Sequence, residues 1–147
     1  MLGNSPRDGV VRMSAVGDFG LRVASRLAHI PAVEQLPDGR ILELPGRGRT
    51  YLVDTGPPAD RPDAPTLVLL HALACTGLLT WYPSLAALAA RYRVVVFDQR
   101  WHGAGPRSPR FRLEDCADDM AAVADALRLP SVVPVGYSMG SLVAQLA

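Results

Sequence analysis

The sequence has no lysine: all 15 of its basic residues are arginine, set against 14 acidic residues for a net charge of +1. That balance excludes the strongly basic footprint of a nucleic-acid binder and the one-signed field that steers an acidic partner. Arginine without lysine, beside abundant alanine and proline, reads as a codon preference rather than a functional device. Cysteine is also scarce. Cys75 and Cys116 fit neither a metal-ligand spacing nor a disulfide framework, so both are expected as small apolar residues in a reducing compartment. No run approaches the ~18 consecutive apolar residues of a membrane span. The first 15 residues lack the apolar centre of a secretory signal, so the expected location is cytoplasmic, with no membrane partner.

What is present describes one soluble globular domain: 147 residues, 49% hydrophobic and 20% charged, are enough to bury a sizeable core. Residues 1–38 read as an N-terminal extension. Within it Phe19, Val23, Leu27 and Ile30 recur at helical spacing, with Asp18 as N-cap and Pro31 as stop. Arg22, Ser25, Arg26 and His29 occupy the opposite face. Such a helix can lie on an anionic membrane or dock its apolar stripe on its own domain, and docking is the commoner case. Met13 is an alternative start, because residues 1–12 show no periodicity.

From residue 39 the pattern becomes an alternation of strands and helices. Arg40 to Leu44 and Thr50 to Val53, separated by Pro45, Gly46 and Gly48, predict a hairpin. Residues 55–65 hold four prolines and predict a surface loop. Thr66 to Leu70 and Val94 to Phe97 are continuously apolar, the signature of strands buried on both faces of a parallel sheet. Trp81 to Tyr92 predicts a helix with Pro83 in its first turn. Leu113, Cys116, Met120, Val123 and Leu127 form the stripe of another. Glu114, Asp115, Asp118 and Asp119 are expected as its solvated first turn rather than as a metal cluster, since acidic residues favour helix N-termini and no histidine is near in sequence.

The chemistry concentrates in Ser131 to Ala147, SVVPVGYSMGSLVAQLA. Gly136, Ser138 and Gly140 spell G-x-S-x-G, preceded by Val132, Val133 and Val135 and followed by Leu142, Val143 and Leu146 at helical spacing. Strand, sharp turn and helix around such a serine form a nucleophile elbow. Small flanking residues let the turn close, and the serine hydroxyl stands out above the sheet. The helix that follows directs its free N–H groups at the reaction centre, where they can stabilise an oxyanion.

Three motifs in this order, HALACTG at 71–77, DQRWHGAG at 98–105 and GYSMG at 136–140, resemble the N-terminal portion of the α/β-hydrolase fold family, in its esterase, lactonase and haloperoxidase-like group. The resemblance covers about residues 39–147. It implies an α/β fold, with a mostly parallel sheet, flanking helices and an initial antiparallel hairpin, from which the C-terminal strands are missing. It further implies that Ser138 is the nucleophile and that the backbone N–H groups of Leu73 and Met139 form the oxyanion hole. Under it His71 and His102 belong to structural loop motifs. The implied partner is a small-molecule acyl substrate, with no metal or organic cofactor. An aspartate in place of Ser138 would imply haloalkane or epoxide chemistry.

The chain departs from the family pattern at four points. Ala72 and Trp101 stand where glycine is usual, and a tryptophan at a position requiring φ > 0 is strained. Pro134 removes a donor from an expected central strand. In the family the catalytic acid and histidine follow the serine, and no histidine follows Ser138 here. The expectation is therefore a serine hydrolase acting on carboxylic esters, thioesters or lactones through an acyl-enzyme, inactive as this truncated chain. The alternative is a non-catalytic fragment or binding module.

Overall fold

A short hairpin starts the sheet: β1 (Arg40–Leu44) turns through Pro45 and Gly46 into β2 (Gly48–Asp54), closed by the Arg47 N–H donating to the Leu44 carbonyl at 2.9 Å. The computed structural model describes residues 36–147, which lie in one compact unit, Val33–Ala147. The helix expected from Asp18 to Ile30, and all but the last three residues of the expected 1–38 extension, lie outside the described residues. After the hairpin come β3 (Thr66–Leu70), α1 (Gly77–Ala89), β4 (Arg93–Phe97), α2 (Leu113–Ala126), β5 (Val133–Gly136) and α3 (Met139–Leu146).

The five strands form one mixed sheet in the order β1-β2-β4-β3-β5. β1 pairs with β2 and β2 with β4 in antiparallel fashion, whereas β4, β3 and β5 run parallel. Strand alternation sends successive side chains to opposite faces, and both faces are covered. Val68, Leu70, Val95 and Phe97 pack with Cys116, Met120, Val123 and Val143 of α2 and α3 on one side. Leu67, Leu69, Val94 and Val96 pack with Leu85 of α1 on the other. Double-sided burial is why β3 and β4 contain no polar position between Leu67 and Leu70 or between Val94 and Phe97. At about 1.5–3 kcal/mol for each fully buried Val or Leu side chain, this sandwich is the main stabilising term.

Pro134 costs the pairing with β3 no hydrogen bond. β5 pairs with β3 alone among the described residues, in register Val68↔Pro134. The Tyr137 N–H donates to the Leu70 carbonyl at 3.0 Å, so by the two-residue alternation the donors facing β3 belong to odd-numbered residues. The nitrogen of Pro134 faces the other way, and the ladder to β3 loses nothing.

Two expectations need correction. Helix α1 begins at Gly77 instead of Trp81, which places Pro83 inside it. The early start is fixed by Thr76, whose hydroxyl accepts from the Leu79 N–H at 3.2 Å, and by Asp98, whose carboxylate accepts from the Gly77 N–H at 2.9 Å. In α2, Asp119 is fully buried rather than solvated. Arg100 reaches it with two donors, Nε to Oδ2 at 2.8 Å and Nη2 to Oδ1 at 2.7 Å, and Arg47 adds Nε to Oδ1 at 2.6 Å. Two guanidinium forks from the hairpin turn and the loop after β4 pulled this carboxylate inward. Glu114 and Asp118 remain exposed as expected.

Candidate functional site

At the junction of β5 and α3 the backbone reverses within three residues. Ser138 adopts φ 54° and ψ −118°, a conformation that costs a residue with a side chain about 1–3 kcal/mol. The turn closes only because its flanks are glycine. A Cβ on Gly136 would overlap the backbone of Gly140, and one on Gly140 would overlap the carbonyl of Leu70 at the end of β3. The Gly140 N–H donates to the Tyr137 carbonyl at 3.0 Å and the Ser141 N–H to the Ser138 carbonyl at 2.9 Å. Ser138 itself is exposed, and its hydroxyl makes no hydrogen bond with any described residue. The strained residue is thus the one whose side chain is left free.

The loop between β3 and α1 begins beside this turn, because Leu70 is paired with Gly136 and receives the Tyr137 N–H. His71 is fully buried. Its Nε2 accepts the backbone N–H of Gln99 at 2.8 Å, so the ring proton sits on Nδ1 and is donated to the Ala72 carbonyl at 2.8 Å. Burial holds the His71 pKa below its ordinary value, against the opposing hydrogen bond to Ala72. Leu73 is 63% exposed, and Ala74 turns through φ 58° before Thr76 caps α1. Neither the Leu73 nor the Met139 backbone N–H has a hydrogen-bond partner among the described residues.

The third segment is the loop after β4. Asp98 is buried and binds the Gly77 N–H through Oδ1 and the Ala104 N–H through Oδ2, both at 2.9 Å. Gly103, at φ 47°, lies so close to that carboxylate that a Cβ would overlap Oδ2. Trp101 does adopt a positive φ, 69°. Its strain is offset by an indole N–H donated to the Ser108 carbonyl at 3.0 Å and by ring contact with Phe111 at 5.6 Å. His102 donates Nδ1–H to the Arg100 carbonyl at 2.8 Å and stands edge-on to the His71 ring at 5.0 Å. Neither histidine hydrogen-bonds the Ser138 hydroxyl.

The structure therefore brings Ser138, Gly136, Gly140 and Met139 together in one turn, with the loop carrying Leu73 starting alongside. Sequence reasoning did not single out Gln99, which is fully buried and bonded twice to His71. A polar residue two positions after a buried strand was the available signal. Cys75 and Cys116 are free thiols, and burial pushes that of Cys116 up to about 11. Among the described residues no helix is long and apolar enough to cross a membrane.

A strand order with an antiparallel hairpin leading into parallel strands, and a strained serine at a strand-to-helix turn, define a class, and the chain belongs to the alpha/beta hydrolase fold family, whose sequence profile matches residues 65–147. Among curated relatives, 3-oxoadipate enol-lactonase 1 of Acinetobacter baylyi is 34% identical over 98 residues, 67% of this chain and 35% of its own length. The magnesium-chelatase 30 kDa subunit of Rhodobacter capsulatus is 35% identical over 100 residues, 66% of this chain and 34% of its own. An epoxide hydrolase from an endophytic Streptomyces is a structural neighbour with TM-score 0.65 and 29% identity, covering 76% of this chain and 33% of that one. The chain spans about a third of the length of the curated relatives it matches.

Proposed function

We propose that Ser138 is the nucleophile of an acyl-transfer hydrolase acting on carboxylic esters, thioesters or lactones. The observation that carries this reading is the φ 54° of Ser138, held between two glycines that no larger residue can replace, with its hydroxyl free. Strain of this kind persists only where surrounding contacts over-determine it. The unpartnered N–H groups of Leu73 and Met139 supply the oxyanion hole, Met139 with the added positive end of α3. Each such donor is worth about 3 kcal/mol in the transition state.

In this mechanism the Ser138 Oγ attacks the acyl carbonyl, the negative charge grows on the carbonyl oxygen between the two N–H groups, and an acyl-enzyme forms as the leaving group departs. Water then cleaves that ester. The chemistry favours acyl over epoxide substrates, because a serine opening an epoxide would form an ether that water does not hydrolyse, whereas an acyl-serine is readily cleaved. A base must take the Ser138 proton. His71 uses both ring nitrogens in structural hydrogen bonds, and His102, which holds the Arg100 carbonyl through Nδ1–H, makes no hydrogen bond to the Ser138 hydroxyl, so neither is bonded to the nucleophile as its base. We assign the acid and histidine to the part of the fold that the relatives have and these 147 residues do not span.

The test is hydrolysis of an activated acetate ester by the 147-residue chain and by Ser138→Ala. Equal, background-level rates are expected. A rate abolished by Ser138→Ala would place a base among the residues present, with His102 the first to replace. A second reading, a non-catalytic binding module, is supported by the same observation that no histidine among the described residues is hydrogen-bonded to Ser138.

A further inference from the structure

We propose that His71 and Gln99 act together as positioning residues that aim the Leu73 N–H. The proposal rests on the oxyanion-hole reading of that N–H, and its argument begins with one peptide plane. The Ala72 carbonyl and the Leu73 N–H belong to the same peptide group, which is trans and planar, so the two point in opposite directions. Whatever holds the Ala72 oxygen therefore sets the direction of the Leu73 N–H. That oxygen is held by the His71 Nδ1–H at 2.8 Å.

The imidazole can donate there only while its proton stays on Nδ1. Gln99 enforces this by placing its backbone N–H on Nε2 at 2.8 Å, where a second proton would face a donor. The Gln99 side chain then binds the preceding carbonyl, with Nε2–H donating to the His71 oxygen at 2.8 Å. Two successive carbonyls ahead of Leu73 are thus fixed, both through a residue at the end of the adjacent strand. At the far side of the loop, Asp98 and the Thr76 cap fix the start of α1. Leu73 and Ala74, between these anchors, are exposed and carry no such bonds among the described residues.

Stability alone does not account for Gln99. The residue is fully buried, yet its Oε1 has no hydrogen-bond partner among the described residues, an arrangement that an apolar core would avoid. An apolar side chain of similar length would fill the space without that unpartnered oxygen but would release the His71 carbonyl.

The experiment measures backbone 15N order parameters of Leu73 and Ala74, with thermal midpoints, for the 147-residue chain, Gln99→Met, His71→Leu and His71→Asn. In the parent chain we expect rigid values near 0.85, and in Gln99→Met and His71→Leu a fall below about 0.6. The midpoint of Gln99→Met should stay the same or rise. His71→Asn should restore rigidity, because the asparagine Nδ2 stands about where the histidine Nδ1 does and can donate to the Ala72 oxygen. Imidazole 15N spectra should show the His71 proton on Nδ1. Unchanged order at Leu73 in folded Gln99→Met, or a His71 proton on Nε2, would overturn the proposal. These readouts need no catalysis, so a failed Ser138 reading leaves them standing. Covalent labelling of Ser138 tests that reading separately.

Discussion

Gly140 rests with its bare α-carbon against the carbonyl of Leu70, the last residue of β3. This contact brings the start of α3 onto the end of the neighbouring strand and leaves no space for a methyl group. We expect Gly140→Ala to destabilise the domain by about 1–3 kcal/mol, the usual cost of overpacking a closed site. Urea unfolding would measure it. Serine at position 141, which is half-buried and already carries a side chain, should tolerate alanine far better.

Asp119 is the second place where one atom group decides much. Its buried carboxylate pairs with the partly exposed Arg47 and the buried Arg100, and Asp119→Ala would leave Arg100 buried without this counter-charge. Breaking such a site costs about 3–5 kcal/mol. The exposed pair of Arg112 with Glu114, by contrast, should show no measurable loss when Arg112 is replaced by alanine. Equal midpoints for the two variants would contradict this assignment.

Trp101 combines strain with compensation. Trp101→Gly removes the positive-φ strain together with the Phe111 contact and the Ser108 hydrogen bond, whereas Trp101→Ala loses both contacts and keeps the strain. The alanine variant should therefore be less stable than the glycine variant by about 1 kcal/mol. Paired denaturation curves check the order.

Stability should also depend on pH through His71. Its folded pKa lies below the ordinary value because the ring is buried, so the unfolded chain binds the proton first on acidification. The sign follows: this contribution is flat above the unfolded value of about 6.5, and stability falls as pH drops below it. Unfolding midpoints at pH 8 and pH 5.5 should differ, and His71→Asn should shrink the difference. A larger midpoint at pH 5.5 would contradict the neutral, Nδ1-protonated ring.

The features legible in the sequence were those built from neighbours along the chain. Val132 to Leu146 carries strand, turn and helix signals within 15 residues, and β3 and β4 advertise their double burial as unbroken apolar runs. Asp119 was misread because its fate is set by Arg47, 72 positions away, and an acidic residue in the opening turns of a helix looks the same whether solvated or clamped. The start of α1 was missed for a related reason. Asp98, 21 residues later, holds the Gly77 N–H, and this bond extends the helix ahead of the apolar periodicity. Gln99 gave no signal beyond its polarity, since its partners lie across the sheet.

The central claim, that Ser138 is an acyl-forming nucleophile, is tested most directly by covalent labelling. A fluorophosphonate is offered to the 147-residue chain, alone and with the C-terminal portion of a relative such as the enol-lactonase appended to supply an acid and a histidine. Mass spectrometry of the tryptic fragments then locates the adduct. The account expects no adduct on the chain alone, and one on Ser138 in the completed enzyme that disappears in Ser138→Ala. A completed enzyme that hydrolyses an activated ester while Ser138 stays unlabelled, or whose rate survives Ser138→Ala, would contradict it.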